Sequence, residues 1–345
     1  MTGYASLLLL ILSVPIALAP AGCARREAPA RPIVLTVAHT APSGHHFHAA
    51  LRHFAKLMRQ KTDGRVYVRL QAREAFEDEF IESLRRGEPS LALVSSTSLG
   101  NWDPAFAVLD LPCVFESRRQ AHKVLDGGFG RFLTGRLPPK GLEGLGWWEY
   151  GFHDLLTKTH RIEEPADLEG LRIAAARSDV LRLTLEEFGA EPVEASPQSA
   201  SEVLKDAKVQ GRQAPLSLAL AAQPSTSGEA SESLRHISVT HHVYTPALLL
   251  AGWTTLDELP ADVKEALRES AAEALAYQRR LSERAEHEAL REARRQGTIA
   301  TVADKEAFGK PAARARAEAR DELSLRVADG SGIVDRLLRE ARKAR

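Results

Sequence analysis

The chain carries few residues whose type and spacing could support metal binding. His45, His46 and His48 form the densest cluster, directly before a predicted helix. A zinc site needs three or four ligands, and the sequence places no further ligand beside these histidines. We therefore expect no metal ion and no other cofactor, and we interpret the cluster as structural.

Catalytic motifs are also missing from the sequence. The patterns Gly-x-Ser-x-Gly and His-Glu-x-x-His do not occur, nor does a glycine-rich phosphate loop. Glu149 and Asp154 are not spaced as a general acid and base, so solvated or salt-bridged roles are favoured. Lys plus Arg and Asp plus Glu both total 46, which leaves no basic surface for nucleic acid. The sequence favours a protein that is not an enzyme and does not bind nucleic acid.

Three polar residues follow predicted strands of the N-terminal half. The strands are predicted at residues 33–38, 66–70 and 91–94, with amphipathic helices between them. This βαβαβ order implies a parallel sheet, whose ligands bind at the carboxyl ends of the strands. We therefore predict that His39, Glu74 and Ser95 border a binding site.

The rest of the chain contains the elements of a second lobe. Strands are predicted at residues 142–148, 171–175 and 248–253, of which the first crosses into that lobe and the last returns. Pro260 starts a helix that runs to Gly297, about 50 Å at 1.5 Å per residue. Closing helices are predicted at residues 305–323 and 333–341. A chain of this length exceeds what one core usually serves, so two lobes are expected.

The order of three segments resembles the solute-binding receptors of TRAP (tripartite ATP-independent periplasmic) transporters. These segments are Leu91–Ser96, Asp110–Phe115 and Ala121–Gly127. The resemblance covers residues 33–310. It implies an α/β, two-lobed periplasmic-binding-protein architecture with a long C-terminal helix bridging both lobes. It also implies a small-molecule solute, bound between the lobes, and TRAP membrane subunits as partners.

A second resemblance lies where the chain crosses between the lobes. Trp148-Glu149-Tyr150-Gly151-Phe152 resembles the family's tryptophan-glutamate-x-glycine-phenylalanine segment. Aromatic side chains give a large contact area with little loss of entropy. Trp148, Tyr150 and Phe152 are therefore candidate ligand contacts, and packing in the core at the hinge is the alternative for Trp148 and Phe152.

The positions that hold a carboxylate in the family are changed here. The resemblance implies an arginine at position 153, a second arginine at position 174 and an asparagine at position 214. This chain has His153, Ala174 and Ala214 instead. Arginine suits this task because its planar fork makes two parallel charge-assisted bonds. Losing such a partner costs on the order of 3–5 kcal/mol, so we predict weak or absent binding of simple C4-dicarboxylates.

Two arginines that are new relative to the family pattern lie near the vacated positions. Arg177 follows the strand that contains Ala174, and Arg212 stands beside Gln213 in the remnant of the asparagine motif. Both arginines and Gln213 are therefore candidate ligand-binding residues. The alternative is that each arginine is an exposed cation, as most arginines are.

The N-terminus is predicted to be an export signal. Ser6 to Ala19 is apolar, too short to span a bilayer comfortably, and is followed by small residues up to Gly22. Cys23 then resembles the lipidated cysteine of a bacterial lipobox, with ordinary cleavage as the alternative. The other cysteine, Cys113, lies in an apolar run and is expected to pack as a small hydrophobic residue.

These patterns together predict an extracytoplasmic receptor of a TRAP-type secondary transporter that binds a small organic, anionic solute. It is expected in the periplasm or cell envelope, anchored through a lipid. The alternative is a lipoprotein that keeps the fold, has lost transport ligand binding, and serves as a scaffold or sensory partner. The expected organisation is a signal peptide (1–22), a tether (23–32), lobe I (33–148 and 236–258) and lobe II with the bridging and closing helices (149–235 and 259–345).

Overall fold

The computed structural model of the protein describes residues 32–42, 44–73, 77–196, 199–221 and 234–345. The predictions for Cys23 and Glu74 fall outside these residues. The strands in the described residues are β1 (Ile33–His39), β2 (Val66–Ala72), β3 (Leu91–Ser95), β4 (Leu142–Thr157), β5 (Arg172–Ala175), β6 (Glu191–Glu194), β7 (Gly211–Pro215), β8 (His236–Gly252) and β9 (Ile299–Val302). The helices are α1 (His46–Lys61), α2 (Glu77–Arg85), α3 (Ser96–Trp102), α4 (Arg118–Leu125), α5 (Gly128–Thr134), α6 (Asp179–Glu187), α7 (Ala200–Val203), α8 (Leu216–Ala221), α9 (Trp253–Glu258), α10 (Ala261–Arg295), α11 (Gly309–Arg326) and α12 (Gly330–Lys343).

The strands form a sheet in the order β2-β1-β3-β8-β4-β7-β5-β6, with β9 paired to β8. We call β2, β1 and β3 the first half of the sheet, and β7, β5 and β6 the second half. β1 pairs in parallel with β2 and β3, and β5 pairs in parallel with β6 and β7. The parallel sheet predicted for the N-terminal part is therefore confirmed.

Two long strands join the halves, and both are longer than predicted. β4 has 16 residues and β8 has 17, and they pair with each other along most of their length. The prediction ended β4 too early, at residue 148, and began β8 too late, at residue 248, because glycines in β4 and polar residues in both strands interrupt the apolar pattern. β4 contains register shifts between Gly144 and Gly146, Glu149 and Gly151, and His153 and Leu155. Such irregularities bend a strand, and here they allow one ribbon to serve both halves.

The first half of the sheet is covered on both faces. Leu91 and Leu93 of β3 belong to one buried cluster, whereas Ala92 and Val94 belong to another. Successive side chains of a strand point to opposite faces, so the two clusters pack on opposite sides of the sheet. A strand that is buried on both faces appears in the sequence as a continuous apolar run, as Leu91–Val94 does.

The helix α10 is the predicted long helix, with 35 residues. It packs against α1 and β4 and, further along, against α8 and β9. Val263, Leu267, Ala271 and Ala274 of the predicted apolar stripe are buried against the first of these neighbours. This helix therefore braces both parts of the molecule. No helix within the described residues is long and apolar enough to cross a bilayer.

The environment of Cys113 differs from the prediction. Its side chain is exposed, and its backbone adopts a φ of 53°. Positive φ is unusual outside glycine, and here it occurs in the turn after Pro112, where the Cys113 amide donates to the carbonyl oxygen of His242. The apolar run is therefore broken by a turn that directs the thiol to solvent.

Candidate functional site

A cavity of about 120 Å³ lies between the two halves of the sheet. One wall comes from the end of β3, the start of α2 and the helix α3. The other wall comes from the ends of β5 and β6, from α7 and from β7, and the middle of β4 lies between the walls. The position agrees with the rule that open α/β sheets bind ligands at the carboxyl ends of their strands.

Arg212 of β7 lines this cavity and is only 5% exposed. Within the described part of the chain it makes no hydrogen bond or ion pair, and its Nε is buried without a partner. Burial lowers the pKa of the guanidinium to about 10, so it stays charged at neutral pH. A buried cation without a counter-charge is costly, which identifies this point as one where an anion would be stabilised.

The backbone register explains how Arg212 reaches this position. Ala174 of β5 and Arg212 are direct partners in the parallel pairing of β5 with β7. Paired residues of neighbouring strands present their side chains on the same face of a sheet. The cation in this chain therefore stands one strand away from Ala174, at the same level.

A neutral histidine stands beside the cation. Gln213 Nε2 lies 3.2 Å from His153 Nδ1, and Thr245 Oγ1 lies 2.9 Å from His153 Nε2. Burial, and secondly the charge of Arg212, lower the pKa of His153 to about 3. His153 therefore contributes hydrogen bonding and no charge. The Oε1 atom of Gln213 is buried without a described partner, which leaves an acceptor for a ligand donor.

A carboxylate occupies the opposite wall. Glu77, at the start of α2, accepts hydrogen bonds from Thr40 Oγ1 (2.9 Å), from Ser95 N and Oγ (2.8 and 2.6 Å), and from Tyr150 OH (3.0 Å). Burial, and secondly the charge of Glu77, raise the pKa of Tyr150 well above its usual range, so the phenol stays protonated as a donor. Four donors hold the Glu77 carboxylate in place, so it is a fixed negative group on this wall.

Arg177 lies at the edge of the cavity and connects its two walls. Its guanidinium donates to Asp78 Oδ2 at 2.7 Å, and its carbonyl oxygen accepts from Asn101 Nδ2 at 3.0 Å. The side chain is 51% exposed. Its charge is therefore matched by Asp78, in contrast to that of Arg212.

The structure brings most of the predicted site residues together on the cavity. Those that line it are Ser95, Tyr150, His153, Ala174, Arg177, Arg212, Gln213 and Ala214. Glu77 also lines the cavity and was not predicted, although it lies only three residues after the predicted Glu74 in the sequence. The sequence analysis also missed Asn101 and Thr245, which lie in an α-helix and in a strand that was predicted too short.

Three predicted residues lie away from the described lining. Trp148 is buried and packs against Phe47, with ring centroids 6.0 Å apart. Phe152 stacks on His241 at 4.8 Å. His39 is buried, with its Nε2 atom 3.4 Å from His48 Nδ1. Trp148 and Phe152 therefore pack in the core, which was the alternative to ligand contact in the sequence prediction.

The histidine cluster also has a structural environment. His45 caps α1 by accepting a hydrogen bond from Phe47 N at 3.3 Å. The Oγ atom of Ser217 lies 3.4 Å from His45 Nε2 and 3.5 Å from His46 Nε2. Among the described residues, no group of three or more His, Cys, Asp or Glu side chains is arranged to hold a metal ion.

Comparison with known proteins relates this geometry to one group. A family model described as bacterial extracellular solute-binding protein, family 7, matches residues 37–321. The 2,3-diketo-L-gulonate-binding periplasmic protein of Escherichia coli is 30% identical over 239 residues, 68% of this chain and 70% of that protein.

Two crystal structures are also similar. A sugar acid binding protein from Advenella mimigardefordensis in complex with galactonate has a TM-score of 0.82 and 26% identity, covering 91% of this chain and 99% of its own. A TRAP periplasmic solute binding protein from Polaromonas, bound to D-erythronate, has a TM-score of 0.79 and 26% identity, covering 89% and 98%.

Proposed function

Because the chain belongs to the bacterial extracellular solute-binding protein family 7, we propose that its cavity binds a hydroxylated monocarboxylate whose carboxylate is held by Arg212. The chain is a solute receptor of the TRAP type, with the two-lobed fold of that group. In this chain Arg212 takes the role of holding the anion, because the methyl side chains of Ala174 and Ala214 cannot bind a carboxylate.

The observation that carries the proposal is the unpaired, buried guanidinium of Arg212. An ion buried without a partner costs several kcal/mol, and a ligand carboxylate would remove that cost with two parallel charge-assisted hydrogen bonds. His153 cannot replace it, because its pKa of about 3 leaves it neutral. Arg177 is already paired with Asp78.

The remaining polar groups favour a ligand with hydroxyl groups. Gln213 Oε1 offers an unused acceptor, and the hydroxyls of Thr40, Ser95 and Tyr150 keep acceptor capacity after donating to Glu77. The similar proteins support the same class, since two of them are bound to galactonate and D-erythronate. Both are monocarboxylates with several hydroxyl groups.

The charges on the lining favour one carboxylate over two. Glu77 is a fixed negative group on the wall opposite Arg212, and Glu194 also borders the cavity, whereas the charge of Asp78 is matched by Arg177. A second ligand carboxylate would face these groups without a cation of its own. Like charges at close range raise the free energy of binding, so dicarboxylates are disfavoured.

The partners and the location follow from the family. TRAP receptors deliver their solutes to TRAP membrane subunits, and we extend this to the present chain. We place it in the periplasm or at the cell envelope, with a lipid on Cys23 as its anchor. The apolar segment that precedes Cys23 in the sequence supports the proposed location and anchor.

The experiment that tests the proposal combines mass spectrometry of small molecules retained by the purified protein with calorimetry of the ligand identified. The expected ligand is an anion with one carboxylate. Arg212→Ala should weaken its binding by roughly 2–5 kcal/mol, and Arg212→Lys should recover only part of that loss because an ammonium cannot form the two-bond fork.

Arg172→Ala is the matched control, because Arg172 lies on β5 near Ala174 and pairs with Asp206 outside the cavity. This variant should bind as the wild type does. A neutral retained ligand, or equal affinity of the Arg212→Ala and Arg172→Ala variants, would overturn the proposal. A protein that retains nothing and responds to no acid in a thermal-shift screen would support the scaffold alternative instead.

A further inference from the structure

The wall of the cavity around Arg212 is made mainly of alanine. Ala174 of β5, Ala195 after β6 and Ala200 of α7 line the cavity and pack together in one buried cluster with Val209. Ala214, at the position of the family's asparagine, extends this wall along β7. A methyl group neither donates nor accepts a hydrogen bond, so the alanine face itself offers contact and no polar partner. The polar residues that line this side of the cavity are Arg177, Glu194, Ser196, Arg212 and Gln213.

The opposite wall is polar. It is built around Glu77 and the hydroxyl groups that surround it, with Ser98 and Asn101 further along α3. Ser95 Oγ lies 3.1 Å from Ser98 Oγ and accepts a hydrogen bond from Ser98 N, also at 3.1 Å, whereas Ser98 Oγ retains acceptor capacity for a ligand donor. The cavity is therefore amphipathic across its width.

This asymmetry bears on which hydroxy acid is bound. A ligand hydroxyl pressed against the alanine wall would lose water and gain no partner, which is unfavourable. An alkyl group at the same place would gain contacts, and each methylene in an apolar pocket changes binding by about tenfold or more. A sugar acid with a hydroxyl on every carbon can form hydrogen bonds with the polar wall, but its hydroxyls on the other side would face alanine methyl groups.

We propose that this receptor selects a hydroxy monocarboxylate that carries an alkyl substituent on one face of its carbon chain. The carboxylate lies on Arg212, the hydroxyl groups face the wall around Glu77, and the alkyl substituent rests on Ala174, Ala195 and Ala200. The assignment rests on the proposed role of Arg212 and goes beyond it by naming what distinguishes this ligand from a fully hydroxylated sugar acid.

Two small acids form a matched pair for the test. D-Pantoate and D-erythronate share a four-carbon chain, a carboxylate, the same configuration at C2 and hydroxyls on C2 and C4. At C3 the first has two methyl groups and the second has a hydroxyl. Calorimetry on the full mature protein should give a dissociation constant for D-pantoate that is lower by at least about tenfold.

A variant of the alanine wall should change this ratio. Ala195→Ser adds one hydroxyl at the place proposed for the alkyl group. It should therefore weaken the binding of D-pantoate, strengthen the binding of D-erythronate and reduce the ratio of the D-erythronate to the D-pantoate dissociation constant several-fold. Ala219→Ser is the control, because Ala219 is also buried but lies in a different cluster, off the cavity. It should leave the ratio unchanged.

The outcomes separate this inference from the proposal on which it rests. Equal or tighter binding of D-erythronate, or binding of neither acid, overturns the alkyl-face inference. The role of Arg212 is judged by its own variant: if Arg212→Ala binds both acids as the wild type does, the anchor is wrong, whatever the ratio. Both the role of Arg212 and the alkyl-face inference are supported if Arg212→Ala loses binding of both acids and the ratio of the two dissociation constants shifts only in Ala195→Ser.

Discussion

At the scale of single residues, the candidate cavity holds a buried cation on β7, one strand away from the position on β5 where the family resemblance implies an arginine. Arg212 and Ala174 are neighbours across the β5–β7 pairing, so the two positions lie at one level of the sheet. A carboxylate bound between the halves can be reached from either strand. The loss of the family arginine therefore does not by itself remove anion binding.

The first prediction follows from this neighbourhood. Moving the guanidinium back, in the double variant Arg212→Ala with Ala174→Arg, should restore part of the affinity that Arg212→Ala loses. We expect recovery of about tenfold or more, since the planar fork returns to the same face. Calorimetry with the retained ligand measures it. A double variant no better than Arg212→Ala would show that the two positions are not equivalent.

The second prediction concerns ligands with two carboxylates. Succinate and malate should bind with dissociation constants above the micromolar range, because Arg212 is the one unpaired cation among the described residues that line the cavity and Glu77 opposes a second anion. Replacing Glu77 by Gln should relieve part of the repulsion and improve succinate more than a monocarboxylate. Sub-micromolar binding of either dicarboxylate by the wild type contradicts this reading.

The sequence predicted the residues of this site unevenly. Ser95 and the segment around Arg212 were found because they follow strands or stand in a motif. Trp148 and Phe152 were left open between ligand contact and core packing, because aromatic residues suit both a cleft and a core and sequence alone cannot separate these environments. Whether Arg212 is buried and unpaired depends on packing between distant elements, which no local pattern reveals.

At the scale of elements, the β4–β8 ribbon is held by a buried charge network. Glu149 of β4 is fully buried and accepts hydrogen bonds from Arg118, His122 Nε2 (2.7 Å) and Tyr244 OH (2.6 Å). Gly151 makes room for this contact: it has a φ of 111°, and a Cβ there would lie 2.8 Å from the Arg118 guanidinium. Glu149, for which a solvated or salt-bridged role was predicted, is therefore a buried salt-bridged residue that links the ribbon to α4.

The third prediction is that Glu149→Gln destabilises the protein by about 3 kcal/mol, since it leaves Arg118 partly uncompensated in a buried site. Burial alone would raise the pKa of Glu149, but the hydrogen bond from His122 and the charge of Arg118 outweigh it and lower the pKa to about 2. A lowered pKa stabilises the folded state above the unfolded value near 4.5, and this contribution is lost as pH falls towards 2. The difference between variant and wild type should therefore shrink between pH 5 and pH 3.

Urea unfolding at several pH values measures this difference. Glu143→Gln is the control on the same strand, because Glu143 pairs with Arg268 near the surface and such pairs contribute at most about 1 kcal/mol. Equal effects of the two substitutions, or a difference that grows as pH falls, would be inconsistent with the network.

Element lengths were predicted best where the hydrophobic period is unbroken. α10 was expected between Pro260 and Gly297 and spans Ala261–Arg295. β8 was expected at residues 248–253 and begins at His236, because its first part contains Thr240, His241 and His242, which carry no alternating apolar signal. Residues 236–238 pair with β4 and residues 236–239 pair with β9, so the start of the strand is set by its partners.

At the scale of the whole molecule, two halves share one ribbon and one bracing helix, an arrangement suited to hinge closure over a ligand. The division into lobe I (33–148 and 236–258) and lobe II (149–235 and 259–345) stays a prediction. The contact of Arg177 with Asp78 and Asn101 joins the walls at the cavity edge.

The fourth prediction concerns the mature form of the chain. Export should remove residues 1–22 and leave Cys23 carrying a lipid, because the apolar segment ends at Gly22-Cys23. Intact-mass measurement of membrane-derived protein should give residues 23–345 plus the lipid, and Cys23→Ala should lose that added mass. A mature chain that starts near Ala24, or that lacks a lipid, removes the anchor while leaving export in place.

The account depends above all on the contact between Arg212 and the ligand, and a crystal structure with the retained ligand tests that contact most directly. The prediction is a carboxylate with both oxygens about 2.7–2.9 Å from the guanidinium nitrogens of Arg212, with no other cation touching it. A ligand without a carboxylate, or a carboxylate held elsewhere in the cavity while Arg212 stays unpaired, would contradict the account.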